Sequence, residues 1–177
     1  MIPYNVLIKD DVIAARVDSL AGEIASSFAD SPTILVGILR GSVVFLSDLM
    51  RAVFHHGMCP EVDFMILSSY EEGSKPGVLC VVQDVRLDLA GKSVLLVDDI
   101  ADTGATLAQA RELLLAKGAA RVATCVLLDK PSRRKVDFTP DFAGFKIDDL
   151  FVVGYGLDHA NRYRCLPFIA TVTGQGE

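Results

Sequence analysis

Residues 94–106 read VLLVDDIADTGAT, and no other stretch constrains the fold as strongly. Four apolar residues, Val94 to Val97, run straight into Asp98 and Asp99. Asp102 follows, then Thr103, Gly104 and Thr106, and a helical pattern begins. An apolar run without alternation marks a strand buried on both faces, as in parallel sheets covered by helices. The acids therefore fall at a strand end, immediately before a helix N-terminus. The same punctuation recurs. The run Thr33 to Leu39 stops at Arg40-Gly41, and the run Val122 to Leu128 stops at Asp129-Lys130.

Helical periodicity lies between these runs. Residues 10–29 carry Ile13, Val17, Leu20 and Ile24 on one stripe. A second helix is expected from Val43 to about His55, with Ser42 as N-cap and Val43, Leu46, Met50 and Val53 on one face. A third spans Ala105 to Lys117, with Leu107, Ala110 and Leu114 inward and Gly118 at the C′ position. Further strands are expected at 61–67, 78–83, 93–97 and 150–155. Residues 68–77, SSYEEGSKPG, read as a loop, and the 78–97 pair as a hairpin-type insertion after it.

Strands alternating with helices imply an α/β fold, a single domain over residues 1–177 built on right-handed βαβ units and a mostly parallel sheet. Ligands of such sheets bind beyond the carboxyl ends of the strands. Arg40-Gly41, Asp98-Asp99, Asp129-Lys130 and Gly154 each end an apolar run, so they are expected on one rim.

The chain of 177 residues is 51% apolar and carries a net charge of −6, with no basic tract, so nucleic acid is not an expected partner. A phosphorylated ligand would need local positive charge from helix N-termini, a few Arg and Lys, or a divalent cation. The cysteines at 59, 80, 125 and 165 have no CxxC spacing and read as reduced core or near-core thiols. His55, His56 and His159 lack metal-ligand spacing. No signal peptide and no membrane span is visible, so a cytoplasmic protein is expected.

The acid cluster has a chemistry of its own. Adjacent carboxylates on a strand diverge and can bracket the two neighbouring hydroxyls of a ribose. Free N–H groups at Asp102 to Thr106, with two threonine hydroxyls, suit a 5′-phosphate. Ordinary helix capping beside two solvated acids is the plainer reading. It suits one acid before a helix better than three acids, two threonines and a glycine together. A phosphoacceptor domain also has paired acids and a later Lys-Pro, but places the pair at its first strand. No GxGxxG follows a strand and no GxxxxGK[ST] occurs, so dinucleotide and P-loop folds lack support.

This segment resembles the signature for 5-phosphoribosyl-1-pyrophosphate (PRPP) in type I phosphoribosyltransferases. Leu39-Arg40-Gly41-Ser42, Ser69-Tyr70, Asp129-Lys130-Pro131, Asp141-Phe142, Gly144-Phe145 and the block Phe151 to Asp158 resemble the hypoxanthine branch of that family. The resemblance spans nearly the whole chain in order. It implies a twisted sheet with a small hood, made from the N- and C-terminal segments, and a flexible lid loop at about 68–77 that excludes water. It implies that Asp98, Asp99, Asp102, Thr103, Gly104, Ala105 and Thr106 bind the ribose and 5′-phosphate. Arg40, Gly41, Ser69, Tyr70 and Arg164 would bind pyrophosphate, and the Leu39–Arg40 peptide would be cis. Lys130 would donate to the purine 6-oxo group, Phe151 would stack on the ring, and Val152 and Asp158 would meet its edge. Asp158, Asp98 and Asp99 would serve Mg²⁺, and Asp102 would face purine N7 as the catalytic carboxylate. The expected activity is phosphoribosyl transfer from PRPP to a 6-oxopurine base, by a homodimer or homotetramer. A nucleotide-sensing regulator on the same fold is the alternative, and the acidic balance argues against its nucleic-acid surface. The chain departs from the family at Asp98, where Glu is frequent, and at His159-Ala-Asn-Arg-Tyr, where an acid is frequent near Asn161. The shorter Asp98 is expected to reach ribose only through water.

Overall fold

The computed structural model describes residues 3–29, 31–69 and 79–172. In chain order the elements are β1 (Tyr4–Ile8), α1 (Asp10–Ser27), β2 (Thr33–Leu39), α2 (Val43–His55), β3 (Glu61–Ser69) and β4 (Leu79–Gln83). There follow β5 (Ser93–Ala101), α3 (Ala105–Ala116), β6 (Arg121–Asp129), a 3₁₀ turn at Pro131–Arg133, β7 (Phe142–Lys146), β8 (Val152–Val153) and β9 (Ile169–Val172). Six strands form the main sheet in the order β4-β3-β2-β5-β6-β7, and β1-β9-β8 form a small second sheet. The main sheet is parallel except for β4, which runs antiparallel beside β3. The expected α/β architecture is thus the observed one.

Side-chain alternation sorts the central strands onto two faces. Leu35, Leu95, Val97, Ala123, Cys125 and Leu127 meet Ile13, Val17, Leu20, Phe45 and Leu49 of α1 and α2. Ile34, Val36, Val94, Leu96, Val122 and Val126 meet Leu107, Ala110 and Leu114 of α3. Burial on both faces is why these strands read as unbroken apolar runs. Gly118 ends α3 with φ +94°, as its C′ position requires.

Several expectations need correction. β5 continues to Ala101, because Asp98, Ile100 and Ala101 still pair with Val126, Leu128 and Asp129 of β6. Asp98 and Asp99 therefore lie within the strand, and only Asp102 follows it. The 78–97 pair is no hairpin: β4 pairs with β3, whereas β5 lies between β2 and β6. Residues 68 and 69 are the end of β3, and Tyr70 with the rest of the expected lid lies outside the described residues. The expected strand at 150–155 shrinks to β8 and belongs to the small sheet, so Gly154 does not end a strand of the main rim.

In α2 the buried positions are Phe45, Leu46, Leu49 and Val53, while Val43 and Met50 stay 45% and 38% exposed. The helix VVFLSDLMRAVFH is apolar on two sides, and periodicity alone does not choose between them. Ser42 holds the N-cap position of α2, as expected, and its carbonyl accepts the Leu46 N–H at 2.8 Å, but its hydroxyl makes no cap bond and donates instead to the Ile38 carbonyl at 2.6 Å. Of the four cysteines only Cys125 is in the core, the other three being exposed.

Candidate active site

The carboxyl ends of β2, β5 and β6 bring Arg40-Gly41, Asp98 to Thr106 and Asp129-Lys130 to one rim, as expected. A cavity of about 240 Å³ opens there. Its walls are Asp98 to Gly104, Thr106 and Leu107, so every expected ribose and phosphate residue lines it except Ala105, the first residue of α3. Parity along β5 explains the division of labour. Asp98 continues the Leu96 face, toward α3, and Asp99 continues the Val97 face, toward α2. Asp99 lies so close to the α2 entry loop that a Cβ on Gly41 would sit 1.7 Å from its Oδ2. A side chain at position 41 would therefore have to displace the Asp99 carboxylate. The Leu39–Arg40 peptide before it is cis, as the resemblance implied.

The two acids titrate as neighbours in a dry place. Burial pushes the Asp98 carboxyl well above the ordinary carboxylate value, and the Asp99 charge adds to the rise. Burial also raises Asp99, against hydrogen bonds and the nearby Arg164 guanidinium that pull it down. Asp98 Oδ1 accepts the Asp99 N–H at 2.9 Å. Such a pair holds a proton longer than either acid would in water, and a diol supplies the donors that would let both ionise.

The loop from Asp102 to Gly104 carries the rim into α3. Gly104 is in the left-handed region at φ +81°, and Cβ there would press on Phe138 and Arg134 at 3.1–3.2 Å. The Asp102 carboxylate accepts from Arg133 Nε at 3.1 Å. Arg133 Nη1 in turn reaches Asp149 Oδ2 at 3.4 Å, and Asp149 Oδ1 lies 3.9 Å from Lys130 Nζ. Lys130 is buried and its N–H donates to the Ala101 carbonyl at 3.0 Å. Asp149 thereby joins the acid side to the segment that leads into Phe151.

Phe151 is 48% exposed, its ring perpendicular to that of His159 at 5.4 Å. Val152 is buried in β8. Asp158 Oδ1 pairs with Arg164 Nη2 at 2.5 Å, and its Oδ2 accepts the Asn161 N–H at 2.7 Å. Arg164 Nη1 also donates to the Gly156 carbonyl at 2.6 Å. A Cβ on Gly156 would meet the Gly41 carbonyl at 2.2 Å, so the small sheet's loop rests directly on the α2 entry loop. Sequence reasoning missed Arg133, Arg134 and Asp149. The first two stand among Lys130, Arg133, Arg134 and Lys135, a composition typical of a solvated turn, and only their closeness to Asp102 and Asp129 in the fold reveals otherwise.

Among the described residues, no three His, Cys, Asp or Glu converge as a metal cage. Carboxylate oxygens at Asp98, Asp99 and Asp158 are nonetheless hard donors of the kind Mg²⁺ takes when substrate phosphates complete its shell.

A family model for the phosphoribosyl transferase domain matches residues 7–160. The chain belongs to the phosphoribosyltransferase family. Its relatives include a hypoxanthine-guanine phosphoribosyltransferase of Aquifex aeolicus, 46% identical over 170 residues that cover 95% of this chain and 94% of the relative. A hypoxanthine phosphoribosyltransferase of Escherichia coli is 46% identical over 171 residues, with the same coverage. The crystal structure of a hypoxanthine-guanine phosphoribosyltransferase from Bacillus anthracis superposes with a TM-score of 0.91 at 37% identity, over 97% of this chain and 99% of that one. A ternary substrates complex of Trypanosoma cruzi hypoxanthine phosphoribosyltransferase gives 0.90 at 33% identity, over 97% and 95%. This phosphoribosyltransferase therefore has relatives named hypoxanthine or hypoxanthine-guanine phosphoribosyltransferases along 95% of its length. No helix among the described residues is long and apolar enough to cross a membrane.

Proposed function

We propose that this phosphoribosyltransferase moves the 5-phosphoribosyl group of PRPP onto N9 of hypoxanthine, and of guanine as a second base, releasing pyrophosphate. The observation that carries the reading is the 240 Å³ cavity in which Asp98, Asp99, Asp102, Thr103, Gly104 and Thr106 converge beside Lys130. The relatives' names support the same reaction.

The chemistry follows from the parts. Asp98 and Asp99 accept from the ribose hydroxyls, Asp98 through a water where its shorter side chain falls short. The N–H groups and hydroxyls from Thr103 to Thr106 hold the 5′-phosphate at the α3 N-terminus. Pyrophosphate lies against Arg40, Gly41, Ser69, Tyr70 and Arg164. Displacement at C1 builds positive charge on the sugar ring, which the buried acids stabilise. The Asp102 carboxylate faces purine N7 and takes or attracts its proton as N9 attacks. Lys130 donates to the 6-oxo oxygen, which favours hypoxanthine or guanine over adenine, whose amino group offers no comparable acceptor. Phe151 stacks on the base and Val152 meets its edge through the main chain. Asp98, Asp99 or Asp158 would hold Mg²⁺, which when bound would supply charge neutralisation to the leaving pyrophosphate.

The two sheets act as one catalytic unit in this reading, within a cytoplasmic homodimer or homotetramer. Absorbance assays with PRPP, Mg²⁺ and each purine in turn test it. Turnover of hypoxanthine but not adenine is expected, and absence of hypoxanthine turnover by folded protein overturns the assignment.

A further inference from the structure

The loop between β5 and α3 is held from behind by the segment that follows β6. The Ala101 carbonyl accepts the Lys130 N–H at 3.0 Å and Arg134 Nη1 at 2.8 Å. The Asp102 carbonyl accepts the same Arg134 nitrogen at 2.5 Å, and the Thr103 carbonyl accepts the Lys135 N–H at 3.0 Å. Three successive carbonyls are thus drawn to one side. In a trans peptide the N–H points opposite to the C=O. Fixing these carbonyls therefore aims the N–H groups of Asp102, Thr103 and Gly104 away from the clasp.

One side chain does most of this work. Arg134 also donates from Nε to the Phe138 carbonyl at 3.0 Å, and its Nη2 pairs with the Asp129 carboxylate, which is almost wholly buried. Its aliphatic stem abuts Gly104, where Cδ lies 3.2 Å from a constructed Cβ. A planar fork with fixed donors suits a set of diverging carbonyls; a lysine offers one mobile point charge.

We propose that Arg134, charge-balanced by Asp129, is a positioning residue for the phosphate cradle of this phosphoribosyltransferase. It orients the Ala101–Asp102–Thr103 backbone so that loop N–H groups meet the anion of PRPP. Arg134 touches no substrate and acts through the peptides it holds. The inference rests on the reading of this loop as the PRPP site.

Arg134→Lys, Arg134→Gln and Asp129→Asn separate positioning from mere scaffolding. Each is assayed for KM of PRPP, KM of hypoxanthine, kcat and calorimetric affinity for ribose 5-phosphate. Positioning predicts that KM for PRPP and the dissociation constant of ribose 5-phosphate rise together, by about tenfold or more, because small displacements of a binding group are expensive. KM for hypoxanthine stays within about threefold, with Arg134→Gln hit hardest. A scaffolding role instead lowers only the active fraction, leaving both KM values at wild type, and that result overturns the proposal. Equal rises in both KM values overturn it too. If the Arg134 variants do not fold, Asp129→Asn decides by the same readouts. Wild-type protein that binds ribose 5-phosphate yet turns over no purine would sink the transferase reading alone, and the calorimetric arm would still judge Arg134.

Discussion

The proposed ribose and 5′-phosphate side of the site comes from one contiguous stretch, Asp98 to Thr106, at the end of a strand buried between two other parallel strands. The proposed base side is assembled from Lys130 after β6, Phe151 and Val152 at a two-residue strand, and Asp158 in an irregular loop. Backbone geometry shows the same contrast. The PRPP side needs a left-handed residue once, at Gly104, whereas Tyr155, Ala160, Asn161 and Tyr163 all hold positive φ on the base side. In that reading the sugar-phosphate cradle is built into the main sheet. Phe151 and Val152, which would stack on and meet the base, adjoin a small sheet whose loop rests on Gly41. Selectivity can then vary without disturbing the machinery that grips PRPP.

Asp102→Asn challenges that division most directly. It keeps the shape and the Arg133 contact surface but removes the carboxylate proposed to face N7. A fall in kcat of about 10² to 10⁴ is expected, in the range that general acid–base groups supply. KM for PRPP should move little. Steady-state kinetics with unchanged kcat would remove Asp102 from the chemistry and leave it a loop residue.

Lys130→Gln tests the base side. A hydrogen bond from a charged donor contributes about 1.5–3 kcal/mol, so KM for hypoxanthine should rise about 10- to 100-fold. KM for PRPP should stay near wild type if the sides are separable. Because Lys130 Nζ also lies 3.9 Å from Asp149, a parallel rise in the PRPP constant would show the two sides to be linked through Asp149 and Arg133.

How far this was legible in the sequence follows from the same contrast. Buried parallel strands announce themselves as continuous apolar runs, so β2, β5 and β6 and the acids beside them were readable. β1 shows mostly exposed side chains and β9 is four residues long, so the small sheet left no periodic trace. The end of β5 is hidden in the sequence because Asp98 is polar yet stays paired with β6, and Asp99 stays within the strand. Arg134 was unreadable for another reason. Apart from the Asp129 carboxylate, its partners are carbonyls, among them those of Ala101, Asp102 and Phe138, and carbonyls have no sequence signature.

Gly41→Ala sharpens the point where the two sides touch. The added methyl would overlap Asp99 Oδ2, a side-chain end that can rotate away, so the fold should survive with little change in thermal midpoint. Rotating Asp99 removes it from the ribose side of the cavity. KM for PRPP should rise about tenfold, equivalent to about 1.4 kcal/mol. A large loss of stability with normal KM in the remaining folded protein would mean that Asp99 cannot move and that Gly41 serves packing alone.

The smallest expected effect concerns the acids themselves. Burial raises the folded-state value of Asp98 above that of the unfolded chain. The folded protein therefore binds this proton more tightly, and the associated stability is full below the ordinary value of about 3.8 and lost as pH rises through the raised one. At neutral pH the Asp98–Asp99 pair costs stability. Asp98→Asn keeps an acceptor for the Asp99 N–H, removes one charge and offers an NH₂ donor to the Asp99 carboxylate. Melting curves should show the variant more stable at pH 7 by about 1 kcal/mol, some 2–4 °C for a chain of this size. The advantage should shrink toward pH 4, where wild type has regained its proton. KM for PRPP should worsen in the same variant, since a ribose hydroxyl loses its anionic acceptor. A destabilised Asp98→Asn protein at pH 7 would mean that the acids are already solvated or paired in solution, and that the PRPP side carries no strain for its ligand to relieve.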